Sequence, residues 1–227
     1  MSSNEDFEAI LFDLDGTLVD TAPDMVAALV DIQQDEGHKP IAYELARTHV
    51  SHGAAGLVKL AFPGIPFDEH ERLRLEFLER YEQAVCINSV LFSQMAELLD
   101  QLDGSGLPWG IVTNKPTRMT EPLLAALDID HRAACVICGD TIPQRKPDPE
   151  PLLLASRQTG VEPNRTIYVG DAARDIEAGL AAGMFTIAAT YGYITADDDP
   201  LAWNAHQIAA STEELTHQLL KGVNLTA

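Results

Sequence analysis

Short apolar runs alternate with helical patterns along most of the chain. The runs that predict strands are Ala9–Phe12 (AILF), PWGIVTN, AACVICGD, TIYVGDAARD and MFTIAAT, and the last of these is expected to be the final strand. Between them, apolar residues recur three and four positions apart, which is typical of amphipathic helices. Alternating strands and helices form a parallel sheet that is covered on both faces, so the expected fold class is α/β.

The stretch from about Ala22 to Val90 has a different pattern, with helices and almost no strand. Within it, FDEHERLRLEFLERYEQAV offers an apolar face between glutamates and arginines, which predicts a long amphipathic helix. Near the end of the chain, STEELTHQLL opens with a capping-box pattern and predicts another helix. The sequence therefore predicts an all-helical domain of residues 21–89, inserted into an α/β domain of residues 1–20 and 90–227.

Polar side chains gather where the predicted strands end. They are Asp13 and Asp15 after AILF, Thr113 and Asn114 in PWGIVTN, Asp171 and Asp175 in TIYVGDAARD, and Lys146 in the turn QRKPDPEP. Ligands of open parallel sheets bind outside the carboxyl ends of the strands, so we expect these groups to share one rim. Aspartate is a poor strand former, and two close carboxylates repel each other. The close spacing of Asp13 and Asp15 therefore indicates that they bind a cation or take part in a reaction.

The chain is strongly acidic, with a formal charge of −20 and a pI near 4.5. A nucleic-acid-binding protein normally has a basic face, so we expect no nucleic-acid partner. An anionic substrate would need a locally positive site, formed by a metal ion or a few cations. No apolar run reaches the roughly 18 residues of a membrane span. The start MSSNEDFEA lacks the pattern of a signal peptide, so a cytoplasmic protein without a membrane partner is expected.

Three cysteines in a chain of this size do not indicate a disulfide framework. Cys135 and Cys138 have the C-x-x-C spacing but lie in an apolar run, so we interpret them as small buried hydrophobic residues, with redox or metal roles as alternatives. The acidic stretch Asp197–Asp199 is interpreted as a solvated loop. Arg174 is interpreted as an exposed or ion-paired side chain.

Four motifs carry a resemblance to a known family. In chain order they are Asp13-Leu14-Asp15-Gly16-Thr17, Val112-Thr113-Asn114-Lys115, Lys146-Pro147-Asp148-Pro149 and Gly170-Asp171-Ala172-Ala173-Arg174-Asp175. With these motifs the chain resembles, over essentially its whole length, the capped phosphatase branch of the haloacid dehalogenase (HAD) superfamily. The resemblance implies a Rossmann-like core with an all-helical cap. It also implies a Mg²⁺-dependent hydrolase that acts on a small-molecule phosphomonoester.

The resemblance further implies a role for each acidic motif residue. Asp13 would attack phosphorus and form an aspartyl-phosphate, while Asp15 would protonate the leaving group and then activate water. Mg²⁺ would be held by the Asp13 carboxylate, the Asp15 backbone carbonyl and Asp171, because it prefers oxygen ligands. Asp175 would lie behind these ligands and orient Asp171 or a metal-bound water.

The remaining motif residues would hold the phosphoryl group. Thr113, backbone N–H groups near Asn114 and the Lys146 ammonium would donate to its oxygens. We also expect Lys146 to pair with Asp13 when no substrate is bound.

The cap is expected to select the substrate. Its most polar, glycine-containing stretch holds Arg47, Ser51, His52 and Gly53. In capped relatives such a segment faces the active site. Arg47 is predicted to pair with a substrate carboxylate through both of its terminal nitrogens.

Similarities to two groups within the family suggest the substrate. TLVDTAPDM, VTNKPTR and KPDPEPLLLA are similar to phosphoglycolate phosphatases, whereas VSHGAAGLV, RLEFLERYEQ and YGYITADDDPLAWNA are similar to bacterial N-acetylmuramic acid 6-phosphate phosphatases of peptidoglycan recycling. The resemblance favours a carboxylated ester, with N-acetylmuramate 6-phosphate ahead of 2-phosphoglycolate. A sugar phosphomutase and a non-catalytic phosphate-binding protein are the alternatives. A phosphonate hydrolase would need a buried cap lysine, for which only Lys39 and Lys59 are available.

Overall fold

The computed structural model describes residues 7–223, so the first residues of the acidic start MSSNEDFEA lie outside the described part. The strands in chain order are β1 (Ala9–Phe12), β2 (Val19–Asp20), β3 (Val90–Leu91), β4 (Trp109–Val112), β5 (Cys135–Ile137), β6 (Thr166–Gly170), β7 (Phe185–Ala189) and β8 (Gln207–Ala209). Six of them form one parallel sheet in the order β5-β4-β1-β6-β7-β8. The predicted parallel sheet is confirmed.

The α-helices in chain order are α1 (Ala22–Asp35), α2 (Tyr43–Thr48), α3 (Gly53–Ala61), α4 (Phe67–Gln83), α5 (Met95–Ser105), α6 (Thr117–Ala126), α7 (Glu150–Thr159), α8 (Ala173–Ala181) and α9 (Thr212–Gly222). Helix α9 begins as the capping-box pattern predicts, because the Ser211 hydroxyl accepts a hydrogen bond from the Glu214 N–H at 3.1 Å. Among the described residues, no helix is long and apolar enough to cross a membrane.

The centre of the sheet is the most buried part of the fold. All residues of β1, β4 and β6 are buried, as expected for strands that are covered on both faces. Cys135 and Cys138 are also buried with free thiols, which agrees with their interpretation as small hydrophobic residues. Burial raises the pKa of the Cys135 thiol to about 11.

The sequence placed the last strand at β7, and this expectation is wrong. Three further residues form β8 at the edge of the sheet, where Ile187 lies opposite Gln207 and Ala189 opposite Ala209. This segment is too short for an apolar alternation to be visible, and its only large apolar residue is Ile208.

Strands β2 and β3 form a separate antiparallel ribbon, in which Val19 lies opposite Leu91 and Asp20 opposite Val90. Helices α1 to α4 all lie between these two strands in the chain. We propose that the ribbon is the hinge between core and cap, so that the cap comprises residues 21–89.

A buried carboxylate ties the start of the helical segment to its end. Asp24 in α1 is 3% exposed and accepts hydrogen bonds from the backbone N–H groups of Ile87, Asn88 and Ser89 at 2.8–3.0 Å. Burial alone would raise the pKa of Asp24, but these donors and the Ser89 hydroxyl outweigh it, and the pKa is lowered. Asp24 therefore fixes the chain just before it returns to the core.

Candidate active site

Strand β1 delivers Asp13 to the carboxyl edge of the sheet, where it is 3% exposed. Its side chain accepts a hydrogen bond from the Leu14 N–H at 2.8 Å, and its own N–H donates to the carbonyl of Val169 at 2.8 Å. The chain then turns at Gly16, whose φ of +84° favours glycine. A Cβ at this position would lie 2.1 Å from Oδ2 of Asp171, so the turn packs directly against that carboxylate.

Lys146 lies beneath Asp13 and is 3% exposed. Its ammonium is 2.9 Å from Oδ1 of Asp13 and 2.7 Å from Oδ1 of Asp175, and it also contacts the Val112 carbonyl and the Tyr168 hydroxyl, both at 2.8 Å. The structure thus contains the expected pair between Lys146 and Asp13.

The loop that carries Lys146 is held by Asn114. The Asn114 side-chain amide donates to the Lys146 carbonyl at 2.9 Å, and the Lys146 N–H donates to Oδ1 of Asn114 at 3.0 Å. The peptide bond between Lys146 and Pro147 is cis. The Asn114 side chain therefore positions the lysine, while Thr113 lies beside it at the end of β4.

Three carboxylates meet at this edge of the sheet. Oxygen atoms of Asp13, Asp171 and Asp175 lie within 4.8 Å of one another, and all three residues are buried. Burial and the neighbouring Asp175 raise the pKa of Asp13 to about 6. Burial and the charge of Asp13 raise the pKa of Asp171 to about 8.

Asp175 behaves differently from the other two carboxylates. Burial would raise its pKa, but the Lys146 ammonium outweighs this, and the pKa of Asp175 is lowered. Lys146 thus offsets much of the charge of Asp175, while Asp13 and Asp171 still repel each other. A buried set of oxygen donors whose negative charge is only partly compensated fits a hard divalent cation.

The cap reaches the acid cluster through a short 3₁₀ turn, Val50–His52. The Ser51 hydroxyl donates to Oδ2 of Asp171 at 2.8 Å, and the Tyr193 N–H donates to the same oxygen at 2.9 Å. Sequence reasoning expected Ser51 to face the substrate, and the structure places it directly on one of the candidate metal ligands.

A cavity of about 450 Å³ lies between the strand ends and the cap. The core side of its wall includes Asp13, Asp15, Thr113 and Asn114, and the cap side includes Ser51, His52 and Gly53. Seven of the sequence-predicted site residues therefore share this cavity, whereas Lys146 and the acids Asp171 and Asp175 lie beneath it or at its side.

Comparisons with known proteins show the family of the chain. Residues 10–189 match the family described as haloacid dehalogenase-like hydrolase. This chain belongs to that family. It is 43% identical to N-acetylmuramic acid 6-phosphate phosphatase of Pseudomonas aeruginosa over 210 residues, which cover 92% of each chain. It is 42% identical to a phosphoglycolate phosphatase of Xanthomonas campestris pv. campestris over 207 residues, which cover 91% of this chain and 94% of the relative.

The solved structures give the same result for the fold. A crystal structure described as a predicted phosphoglycolate phosphatase from Haemophilus somnus 129pt superposes with a TM-score of 0.83 at 28% identity, over 94% of this chain and 98% of that one. The predicted family and the predicted phosphatase activity are therefore confirmed, and this HAD-like hydrolase is an enzyme.

Sequence reasoning missed three residues around Asp15 at the site of this HAD-like hydrolase: Lys115, Tyr81 and Thr21. The Lys115 ammonium is 2.8 Å from Oδ1 of Asp15 and 2.9 Å from the hydroxyl of Tyr81, which is buried on α4 of the cap. Although burial lowers the pKa of Lys115, the charge of Asp15 and the contact with Tyr81 outweigh it, and the pKa is raised. The Thr21 hydroxyl also donates to Oδ1 of Asp15, at 2.6 Å.

A signal for Lys115 was present in the sequence. It is one of only five lysines in a chain of net charge −20, and it follows the polar strand end Thr113-Asn114 directly. Tyr81 gave no signal, because it reads as one more apolar position of a long amphipathic helix.

Arg47 of this HAD-like hydrolase does not line the cavity. Its guanidinium is 3.4 Å from Oδ2 of Asp20 and lies over the ring of Tyr193, 4.9 Å from the centroid. Because Asp20 already offsets its charge, this geometry gives no support to the predicted contact with a substrate carboxylate. Lys39 and Lys59 are exposed and also lie away from the cavity, so neither is the buried cap lysine that a phosphonate hydrolase needs.

Proposed function

We propose that this phosphatase hydrolyses a carboxylated phosphomonoester with the help of Mg²⁺ and through an aspartyl-phosphate on Asp13. The observation that carries the proposal is the position of Asp13. Its carboxylate is buried at the end of a central strand, contacts Lys146 at 2.9 Å and opens on the cavity. A nucleophile in this position can meet a phosphoryl group whose other oxygens face cationic and N–H donors.

The metal ligands in this proposal are the carboxylates of Asp13 and Asp171 and the backbone carbonyl of Asp15, with Asp175 behind them. The close approach of three buried carboxylate groups supports this set. A bound Mg²⁺ supplies positive charge that offsets the repulsion between these carboxylates and the substrate phosphate.

The residues of the chain then divide the reaction into two displacements. In the first, an oxygen of Asp13 forms a bond to phosphorus, the bond to the leaving oxygen breaks, and Asp15 gives that oxygen a proton. In the second, Asp15 takes a proton from a water molecule, which attacks phosphorus and releases Asp13 and inorganic phosphate. Lys115 and Thr21 support these steps by fixing the position of the Asp15 carboxylate at the cavity wall.

We propose N-acetylmuramate 6-phosphate as the substrate. A relative that carries this activity in its name is 43% identical to the chain. The cavity, at about 450 Å³, is in the size range of sites for small organic ligands, and the cap contributes apolar side chains such as Phe77 and Leu78 to its wall. An acetylated sugar offers apolar surface to such a wall, whereas the leaving group of 2-phosphoglycolate offers almost none.

A second candidate substrate is 2-phosphoglycolate, because a relative of 42% identity is named a phosphoglycolate phosphatase. The two candidates share a phosphate ester and a carboxylate, and they differ in the size of the leaving group. Values of kcat/KM for both compounds and for plain sugar phosphates separate them. A higher value for 2-phosphoglycolate would favour the second candidate over the first.

The chemical part of the proposal is tested by phosphate release from p-nitrophenyl phosphate. We expect Mg²⁺ to support release, and EDTA and Asp13→Asn to abolish it. Asp100→Asn is the matched control, since Asp100 is an exposed carboxylate that pairs with Arg132 on the surface. Near wild-type release by Asp13→Asn would show that another residue is the nucleophile.

A further inference from the structure

The arginines of this chain are nearly all paired with acids. The chain has ten arginines, and eight of them lie within 3.4 Å of a carboxylate among the described residues. The two exceptions are Arg145 and Arg174, and both line the cavity. The sequence expectation was an exposed or ion-paired Arg174. In the structure the residue is half-buried and has acids nearby, but none of the described carboxylates is within ion-pair distance of its guanidinium.

Arg174 is the second residue of α8 and lies between the acid cluster and the cap. It lines the main cavity and also a neighbouring cavity of about 110 Å³, together with Ser51, His52 and Asp171. Within residues 7–223 its guanidinium makes no hydrogen bond, ion pair or aromatic contact, whereas the guanidinium of Arg145 at the exposed edge of the cavity donates to the Gly139 carbonyl. Burial would lower the pKa of Arg174, but the charges of Asp175, Asp13 and Asp171 outweigh it, and the pKa is raised. These acids stabilise the positive charge at a distance, but the guanidinium N–H groups have no acceptor among the described residues, which indicates that an anion completes their surroundings.

The acids near Arg174 already have other partners. Asp13 and Asp175 both contact the Lys146 ammonium, and Asp171 accepts hydrogen bonds from Ser51 and the Tyr193 N–H. The hydrogen-bonding capacity of the guanidinium is thus left for the cavity that Arg174 and Asp13 both line, and this cavity would hold the leaving group of a substrate whose phosphoryl group lies at Asp13.

We propose that Arg174 binds the carboxylate of the substrate's leaving group, and that Arg145 assists it from the cavity edge. A guanidinium carries one positive charge and two parallel N–H donors, which match a carboxylate in charge and shape. Arg174 then takes the role that sequence reasoning gave to Arg47. The inference rests on the proposed function, because it concerns the substrate of the same site.

Two pairs of phosphate esters test this role with the Mg²⁺-loaded enzyme. N-acetylmuramate 6-phosphate and N-acetylglucosamine 6-phosphate differ only in the lactyl ether that carries the carboxylate, and 2-phosphoglycolate and ethyl phosphate differ in the carboxylate itself. We expect Arg174→Met to lower kcat/KM for the carboxylated member of the preferred pair about 10- to 100-fold, the loss of one charge-assisted contact. The uncarboxylated member should change by less than about threefold, and Arg174→Lys should restore part of the loss.

Two other arginine variants serve as controls. Arg157→Met removes a surface arginine that pairs with Glu150 on α7, and it should leave both members of each pair unchanged. Arg47→Met tests the competing assignment. Equal losses for both members in Arg174→Met, or a selective loss in Arg47→Met instead, would overturn the proposal.

A binding measurement keeps the inference separate from catalysis. In an Asp13→Asn background, calorimetry follows the binding of N-acetylmuramate 6-phosphate and of 2-phosphoglycolate with and without Arg174→Met. Weaker binding of a carboxylated ester, with unchanged binding of its uncarboxylated partner, supports the role of Arg174 even if turnover fails. If the wild type releases no phosphate from any ester, the proposed function fails, whereas unchanged binding in Arg174→Met defeats only the inference about Arg174.

Discussion

Replacing Lys146 with methionine separates what this residue does for folding from what it does for catalysis. Methionine keeps the length of the apolar stem but removes an ammonium that contacts Asp13, Asp175, the Val112 carbonyl and the Tyr168 hydroxyl. Two buried carboxylates then lose the cation between them. Breaking a buried ion pair in this way costs about 3–5 kcal/mol of the free energy of unfolding.

The expected change is large enough for a simple thermal assay. For a chain of this size, about 3–5 kcal/mol corresponds to a fall in Tm of about 6–20 °C. Unfolding is followed by far-UV circular dichroism in EDTA, so that no divalent ion replaces the lysine. The Lys39→Met variant removes an exposed lysine and is expected to change Tm by less than about 2 °C.

The pH dependence of the Lys146→Met variant has a definite sign. Burial raises the pKa of Asp13, and Lys146 is among the groups that lower the pKa of both Asp13 and Asp175. Without the lysine both carboxyl groups should titrate at higher pH in the folded state than in the unfolded state. The variant is then destabilised most at neutral pH, and the difference from wild type should shrink as the pH falls towards 4.

A second substitution tests the electrostatic reasoning directly. Lys146→Met combined with Asp175→Asn removes one of the two unpaired charges, so it should be more stable than Lys146→Met alone by at least about 1 kcal/mol. Phosphate release should remain low in both variants. A Tm for Lys146→Met within about 2 °C of wild type, or a double variant less stable than the single one, would refute the reasoning.

Three further substitutions or reactions test other parts of the structure. Asp24→Asn should lower the free energy of unfolding in urea by about 2–3 kcal/mol at pH 7, because a donor replaces an oxygen that accepts backbone N–H groups. This difference should vanish as the pH falls through the lowered pKa of Asp24, below its ordinary 3.8. Gly16→Ala should abolish phosphate release and lower Tm, since its Cβ would lie 2.1 Å from Asp171. Ellman's reagent should react with at most one thiol, Cys86, in the native protein and with all three cysteines in denaturant, because Cys135 is buried with a pKa of about 11.

The sequence predicted the residues at the centre of the site because each of them lies directly after a segment that can be recognised as a strand. Each motif follows a short apolar run, and parallel strands bring their carboxyl ends to one edge, so Asp13, Thr113 and Asp171 meet without any knowledge of the cap. The same reasoning missed β8, whose three residues carry too little pattern to predict a strand.

No pattern in the sequence predicted the contacts between the cap and the core. Ser51 and Asp171 are 120 residues apart in the chain, and Lys115 and Tyr81 meet only because α4 packs over the end of β4. Arg47 was assigned to the substrate from the composition of its segment. Its partner Asp20 lies in β2, and no periodicity relates the two positions.

The placement of the few cations explains how so acidic a chain can bind an anion. Of five lysines only Lys115 and Lys146 are buried, and each is within 2.9 Å of an aspartate of the site. These two lysines are engaged in holding Asp15 and Asp13, so their charges are largely offset before a substrate arrives. At physiological salt the charges of the acidic surface are screened beyond about 8 Å, and binding depends on groups at contact distance. Arg174 lines the cavity, and its guanidinium N–H groups have no acceptor among the described residues, so the selectivity of the cavity should depend on it more than on the lysines.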